Sequence, residues 1–257
     1  ALAKEAARLF AERIDSSEVL LTQSEYEKFE KRLFTLAKSV RESECNGFQT
    51  LHSDQVKWQQ DMEDFVRKTL SSKGYKMDKK RELNLDPKKR TRPKTQAQQD
   101  ELRRALIDFQ MANYIANGTS KKEAKTKLIH RYELATKRVK DRKLSELYGA
   151  FLNAYSNSLD PHSTYFSQEE LEDFRITMQL SLEGIGARLS SKDGYTTVED
   201  LVPGGAADKN GELRTKDQII AVAQGPKAEA VDVIDMDLRE VVRFIRGEKG
   251  TQVTLTV

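Results

Sequence analysis

One cysteine, Cys45, in a chain of 257 residues excludes an internal disulfide, and three histidines as far apart as His52, His130 and His162 exclude zinc-finger spacing. No metal site and no cofactor motif is expected. No apolar run approaches the roughly 20 residues that a membrane-spanning helix needs, so membrane association is expected only through a segment outside this chain. A surplus of one charge sign is missing too: 44 basic residues stand against 41 acidic ones, a net charge of +3. Such a mixture predicts a solvated surface and no nucleic-acid partner. At roughly 100 to 200 residues per domain, the length suggests two domains, each able to bury a core without staples.

What the chain does have changes character near Gln179. Before it the apolar spacing is helical. Tyr26, Phe29, Leu33, Leu36 and Val40 form one stripe, Trp58, Met62, Phe65 and Thr69 a second, and Leu144, Leu147, Tyr148, Phe151 and Tyr155 a third. Leu102, Ala105, Phe109 and Ala112 mark a further helix ended by Asn117-Gly118, and Ser120 with Glu123 opens the next as a capping box. After Gln179 the period shortens: Ile185, Ala187 and Leu189 alternate, as do Thr196 with Val198 and Val253 with Leu255 and Val257. "QIIAVA" from Gln218 is a short apolar run, and Leu238, Val241, Val242 and Ile245 fit one helix with Gly247 as its stop. The predicted class is α+β multidomain: an all-α N-terminal helical domain, then a small β-barrel or sandwich with one or two helices.

Two stretches invite functional readings. Between Lys73 and Lys94 ten basic residues accompany three acids, but Tyr75 is the only aromatic available for base stacking. A solvated connection between helices is the expectation. In "NSLDPHSTYFSQEEL", Asp160, His162 and Ser163 fall within four positions. A catalytic triad needs side chains converging from separate parts of a fold, which one short loop does not supply. The residues after them fit a helix start, with Ser167 as N-cap, Glu170 reaching back, and Phe166 packing on Leu171. The pattern occurs once before. "IDSSEVLLTQSEYEKF" from Ile14 aligns without gaps to "LDPHSTYFSQEELEDF" from Leu159 and keeps the aspartate (Asp15 and Asp160), with Thr22 and Glu25 as its box and Leu21 and Tyr26 as its staple.

"SLEGIGARL" from Ser181, "VPGGAA" from Val202, "DQIIAV" from Asp217 and "REVVRFIRGEKGTQVTLTV" from Arg239, in this order, resemble a PDZ domain, in particular that of bacterial C-terminal processing, or tail-specific, proteases. "LDPHSTYFS" is similar to the segment that introduces the domain there, and the helical half resembles the N-terminal domain of the long periplasmic branch. Lys216 departs from the pattern at a turn where many PDZ domains carry glycine. The resemblance implies a helical domain over 1–158, a capped connecting helix over 159–179 and a PDZ-like domain over 180–257.

It implies a function as well: a groove that takes the free C-terminus of a protein substrate as an added strand. Its edge would run along Gly186, Ala187, Arg188 and Leu189. The turn Leu182, Glu183, Gly184 and Ile185 would point amides at the terminal carboxylate, the glycines letting the backbone come close. Leu182, Ile185, Leu238 and Val241 are the candidates for the pocket that holds the last side chain, although a helical period leaves Leu238 and Val241 divided between groove and core. The family cuts with a serine nucleophile and a lysine base placed after the PDZ domain, so no catalytic residue and no protease domain is expected in this chain. A periplasmic location and an adaptor protein on the helical domain belong to the same implication. The alternative is a non-enzymatic scaffold.

Overall fold

The computed structural model describes residues 2–39, 47–78, 80–178, 184–225, 228–247 and 250–257, arranged as two compact units, 1–168 and 169–257. The first unit is all helical: α1 (Leu2–Ile14), α2 (Gln23–Ser39), α3 (Gly47–Ser71), α4 (Gln96–Ala116), α5 (Lys121–Asp141) and α6 (Leu144–Leu159). Local chemistry sets several of the ends. The Glu25 carboxylate accepts the Thr22 backbone N–H at 2.9 Å and its hydroxyl at 2.7 Å, while Leu21 and Tyr26 join one apolar cluster. Glu25 thus reaches back to Thr22 at the start of α2, one half of a capping box. Ser120 caps α5 by accepting the Glu123 N–H at 3.2 Å, and Gly118, at φ 86°, follows the end of α4.

Two cores fill this unit. One joins Phe10, Phe29, Leu33, Phe48 and Phe151, and the other Met62, Val66, Ile107, Met111 and Leu128. The buried face of α4 runs through Ala105, Ile107 and Met111, a rotation from the expected Phe109 and Ala112 stripe. Gln99, Arg103 and Asp108 sink with that face, where Arg103 donates to the Val19 carbonyl and Asp108 accepts from Tyr75 and Arg81.

Leu20 packs against both cores, and its loop, residues 15–22, is held by buried polar groups. Asp15, 1 % exposed, accepts the N–H groups of Val19, Leu20 and Leu21 at 3.1, 3.1 and 3.2 Å and pairs with Arg92. Arg92 also lies 3.9 Å from the centre of the Tyr26 ring, and Arg103 donates to the Val19 carbonyl at 2.8 Å. This corrects the expectation for the basic stretch. Arg92 is buried, Arg90 donates to the Ser17 carbonyl at 2.6 Å, and Arg81 pairs with Asp108 at 3.1 Å. Tyr75 donates its hydroxyl to the same aspartate at 2.8 Å, and burial together with that carboxylate pushes its phenol above the ordinary tyrosine range. The stretch is a polar clamp on the helices more than a solvated link.

The second unit opens on α7 (Gln168–Met178), which starts directly after Ser167. Two three-stranded antiparallel sheets follow, ordered β1-β2-β3 and β5-β4-β6. Their strands are β1 (Ala187–Lys192), β2 (Tyr195–Leu201), β3 (Gln218–Ile219), β4 (Ala221–Gln224), β5 (Val231–Asp232) and β6 (Val253–Thr256), with helices α8 (Ala206–Asn210) and α9 (Leu238–Ile245). The run "QIIAVA" serves both sheets. It turns the corner at Ile220, whose N–H donates to Thr256 and whose carbonyl accepts from Val233. Val198, Ile219, Val222, Val233, Val241 and Ile245 form the core, so the predicted α+β class holds in both halves.

Removing the Asp15 side chain takes the main carboxylate from buried Arg92, leaving it the Leu21 carbonyl and a 3.7 Å pair with Glu18, and leaves three amides without their acceptor. Asp15→Ala is expected to lower stability by about 3 to 5 kcal/mol in urea unfolding followed by circular dichroism. A loss under about 1 kcal/mol would show that the loop holds without its polar anchor.

Candidate functional site

β1 is an edge strand, paired on one side with β2 and, among the described residues, with no strand on the other. α9 packs on β4 and also touches β1. The direction of the edge groups follows from one bond. Val202 donates to the Gly186 carbonyl at 2.8 Å, which turns that carbonyl toward β2. The N–H of Ala187 shares that peptide plane and points the opposite way, toward the open side, as does the Ala187 carbonyl.

The turn before β1 is braced from below. Ala207 donates to the Ile185 carbonyl at 2.8 Å, and the chain at Gly186 crosses the chain at Gly205 closely. A Cβ built on Gly186 would lie 3.0 Å from the Gly205 Cα, and one built on Gly205 would lie 2.9 Å from the Val202 carbonyl oxygen. Gly186 also has φ 74°, a conformation that L side chains resist. The expected reason for this glycine was close approach to a peptide; the structure supplies a different one, contact between two turns of the same unit. Both carbonyls are thereby committed inward. Among the described residues the N–H groups of Gly184, Ile185 and Gly186 donate no backbone hydrogen bond.

The pocket candidates separate by burial. Leu182 and Glu183 lie outside the described residues. Ile185, Ala187 and Leu189 are half-buried and rest on the core. Val241 is 0 % exposed inside that core, so it does not line the expected groove. Leu238 is half-buried outside the core cluster, and so is Val242, which the sequence placed on the helix face but not in the site. The signal that separates them is the i, i+4 spacing: Val241 and Ile245 make the buried row, Leu238 and Val242 the row beside it. Arg188 is exposed and pairs with Asp200 across the ladder at 3.5 Å, next to a register shift between Arg188 and Leu189.

Two other sequence features are placed as well. Lys216 adopts φ 78° and donates its N–H to Val198 at 2.7 Å, so a lysine holds the left-handed turn where glycine is usual. Asp160, His162 and Ser163 make a turn. The Asp160 carboxylate accepts the His162 backbone N–H at 3.2 Å and the Ser163 hydroxyl at 3.4 Å, which joins the three locally with no imidazole between them. In the first copy the corresponding Asp15 is buried; here Asp160 is exposed. Among the described residues no cluster of histidine, cysteine or acidic side chains is suited to a metal ion, and no helix is long and apolar enough to cross a membrane.

The glycine crossing is open to test. Gly186→Ala is expected to lower the stability of the second unit by about 1 to 3 kcal/mol through backbone strain and the displaced Gly205 turn. Thermal unfolding of the two variants Gly186→Ala and Gly205→Ala checks it, and wild-type stability in both would remove the crossing from the argument.

Comparison with known proteins places both units. Residues 1–169 match the tail specific protease N-terminal domain, and residues 174–257 match the PDZ domain. The tail-specific protease of Haemophilus influenzae is 34 % identical over 187 residues, covering 70 % of this chain and 27 % of that protein. The carboxy-terminal processing protease CtpA of Bacillus subtilis is 38 % identical over 107 residues, covering 42 % of this chain and 22 % of that protein. Among solved structures, the PDZ domain of a carboxy-terminal protease from Vibrio cholerae in complex with peptide shares 44 % identity over 29 % of this chain and 74 % of its own, with a TM-score of 0.28. The chain spans about a quarter of the length of these curated relatives. It belongs to the tail-specific protease family, of which it carries the N-terminal domain and a PDZ domain.

Proposed function

We propose that this chain is the substrate-recognition portion of a periplasmic tail-specific serine endopeptidase. Its PDZ domain takes the free C-terminus of a protein substrate and presents the polypeptide to a Ser/Lys catalytic domain that these residues do not include. One observation supports the reading: an open strand edge preceded by three adjacent amides that donate no backbone hydrogen bond among the described residues, with α9 in contact with the strand. A tail laid antiparallel to β1 bonds to the Ala187 N–H and carbonyl through its backbone, and its sequence is of little consequence to those bonds. Its carboxylate meets the amides of Gly184, Ile185 and Gly186. Its last side chain lies toward Leu238 and Val242, the half-buried row of the helix. The division of labour suits a processing protease, because backbone pairing and carboxylate capture select chain ends over chain interiors.

The role assigned to the carboxylate predicts that a peptide ending in a small apolar residue binds this chain, and that the same peptide amidated at its C-terminus binds at least ten-fold more weakly, since a charge-assisted hydrogen bond is worth about 1.5 to 3 kcal/mol. Calorimetric titration reads the difference, and equal affinity for the two forms would sink carboxylate capture. The absence of the catalytic pair predicts in addition that the purified chain leaves an unfolded protein substrate intact. Sustained cleavage that survives a second purification would contradict that.

A further inference from the structure

The strand-addition reading, on which this inference rests, also fixes where each side chain of a bound tail goes. Neighbouring residues of a strand face opposite sides of the sheet, and residues opposite one another in an antiparallel pair share a side. Ala187 and Leu189 rest on the PDZ core, on the inner side. A last side chain directed at the apolar row of α9 shares that side, so the residue before it falls on the outer side, which is the side of Arg188.

Arg188 is unencumbered enough to respond. Its side chain is 74 % exposed, and its ion pair with Asp200, itself 65 % exposed, is 3.5 Å long in open solvent. Pairs of this kind are weak and easily exchanged. Distance then decides the sign of the field that the tail meets. Strands lie about 4.8 Å apart, so the tail is one strand from Arg188 and two strands, about 10 Å, from Asp200 and Glu199 on β2. About 10 Å is already a full screening length at 0.1 M salt. Glu199 is further occupied by the Ser190 hydroxyl. Among the described charges of β1 and β2, the nearest to the penultimate side chain is therefore positive.

We propose that Arg188 is a specificity-determining residue of the groove: it favours tails whose penultimate residue is Asp or Glu and disfavours those with Lys or Arg there. The inner row selects for a small apolar end while the outer side reads charge one residue earlier. This goes beyond capture of a chain end, because it ranks one end against another.

Two fluorescein-labelled decapeptides, identical except for Glu or Lys at the penultimate position and both ending in alanine with a free carboxylate, test it against the full chain by fluorescence polarisation. At low salt, about 50 mM, the Glu peptide is expected to bind about five-fold more tightly, and the ratio to fall toward one as salt screens the contact. Arg188→Glu inverts the order, Arg188→Gln brings the two peptides together, and Asp200→Asn widens the wild-type gap by releasing Arg188. Arg188→Gln and Asp200→Asn carry the test if the charge reversal disturbs folding. Equal wild-type affinities at low salt, or an unchanged ratio in Arg188→Gln and Asp200→Asn, overturns the proposal while capture of the carboxylate stands. An amidated Glu peptide that binds as well as its free acid, or no binding by either free acid, overturns carboxylate capture and this proposal with it.

Discussion

A strand edge that is to receive a peptide must keep its donors and acceptors unmet and still hold a straight line, and those demands conflict. An unpaired backbone is normally flexible, or it pairs with whatever comes near. Here the conflict is resolved beneath the edge. The carbonyls of Ile185 and Gly186 are each taken by an amide of the turn 202–207, and the two chains cross where neither Gly186 nor Gly205 has room for a Cβ. Commitment of one side of each peptide plane orients the other side outward. The outward amides of Gly186 and Ala187 therefore follow from internal bonds and need no ligand to arrange them. Charged Arg188 and Lys192 and the register shift within β1 guard the same edge against pairing with a second sheet.

The helical unit meets its own problem by a related route. Its two cores are joined through Leu20, in a loop of eight residues that has no helix to hold it. A single buried carboxylate does so, by collecting three consecutive amides and the guanidinium of Arg92. Burial pushes the Asp15 carboxyl up, and Arg92 with the Leu20 and Leu21 amides pulls it back. Such an arrangement is worth little compared with an apolar filling of equal volume, but it tolerates no partial loss. It fixes one loop path where apolar packing alone would accept several.

The features legible in the sequence are those whose causes are local. Helix starts at Thr22 and Ser120 depend on residues three positions away, and the alternation of Ile185, Ala187 and Leu189 needs no partner to be seen. What escaped has causes far along the chain. Arg92 meets Asp15 across 77 positions, so a basic run looked solvated when three of its arginines are tied to the 15–22 loop and to α4. The stripe of α9 was visible, but its two rows differ by one residue in four, and only the placement of β1 and β4 shows that Val241 lies inside and Val242 in the row beside it. Val242 was missed for that reason. The repeated segment shows the same limit: Asp15 and Asp160 occupy equivalent positions in matching helix starts, yet one is buried against an arginine that no local pattern announces.

The double use of α9 has a mechanical consequence. Val241 and Ile245 are set in the core, and Gln224 ties down the other end of the helix by donating to the carbonyls of Phe244 and Arg246. The loop ahead of it is bonded to the β1–β2 hairpin, since Asp235 donates to the Gly194 carbonyl at 2.8 Å. A ligand that pushes on the Leu238 row thus cannot tilt the helix without opening packed side chains or breaking bonds at both ends. On the proposed reading the groove is preformed, and little of the interaction energy goes to ordering it. A displacement of α9, where one occurs, draws the hairpin and β4 with it, because the same bonds that stiffen the cleft connect it to both sheets.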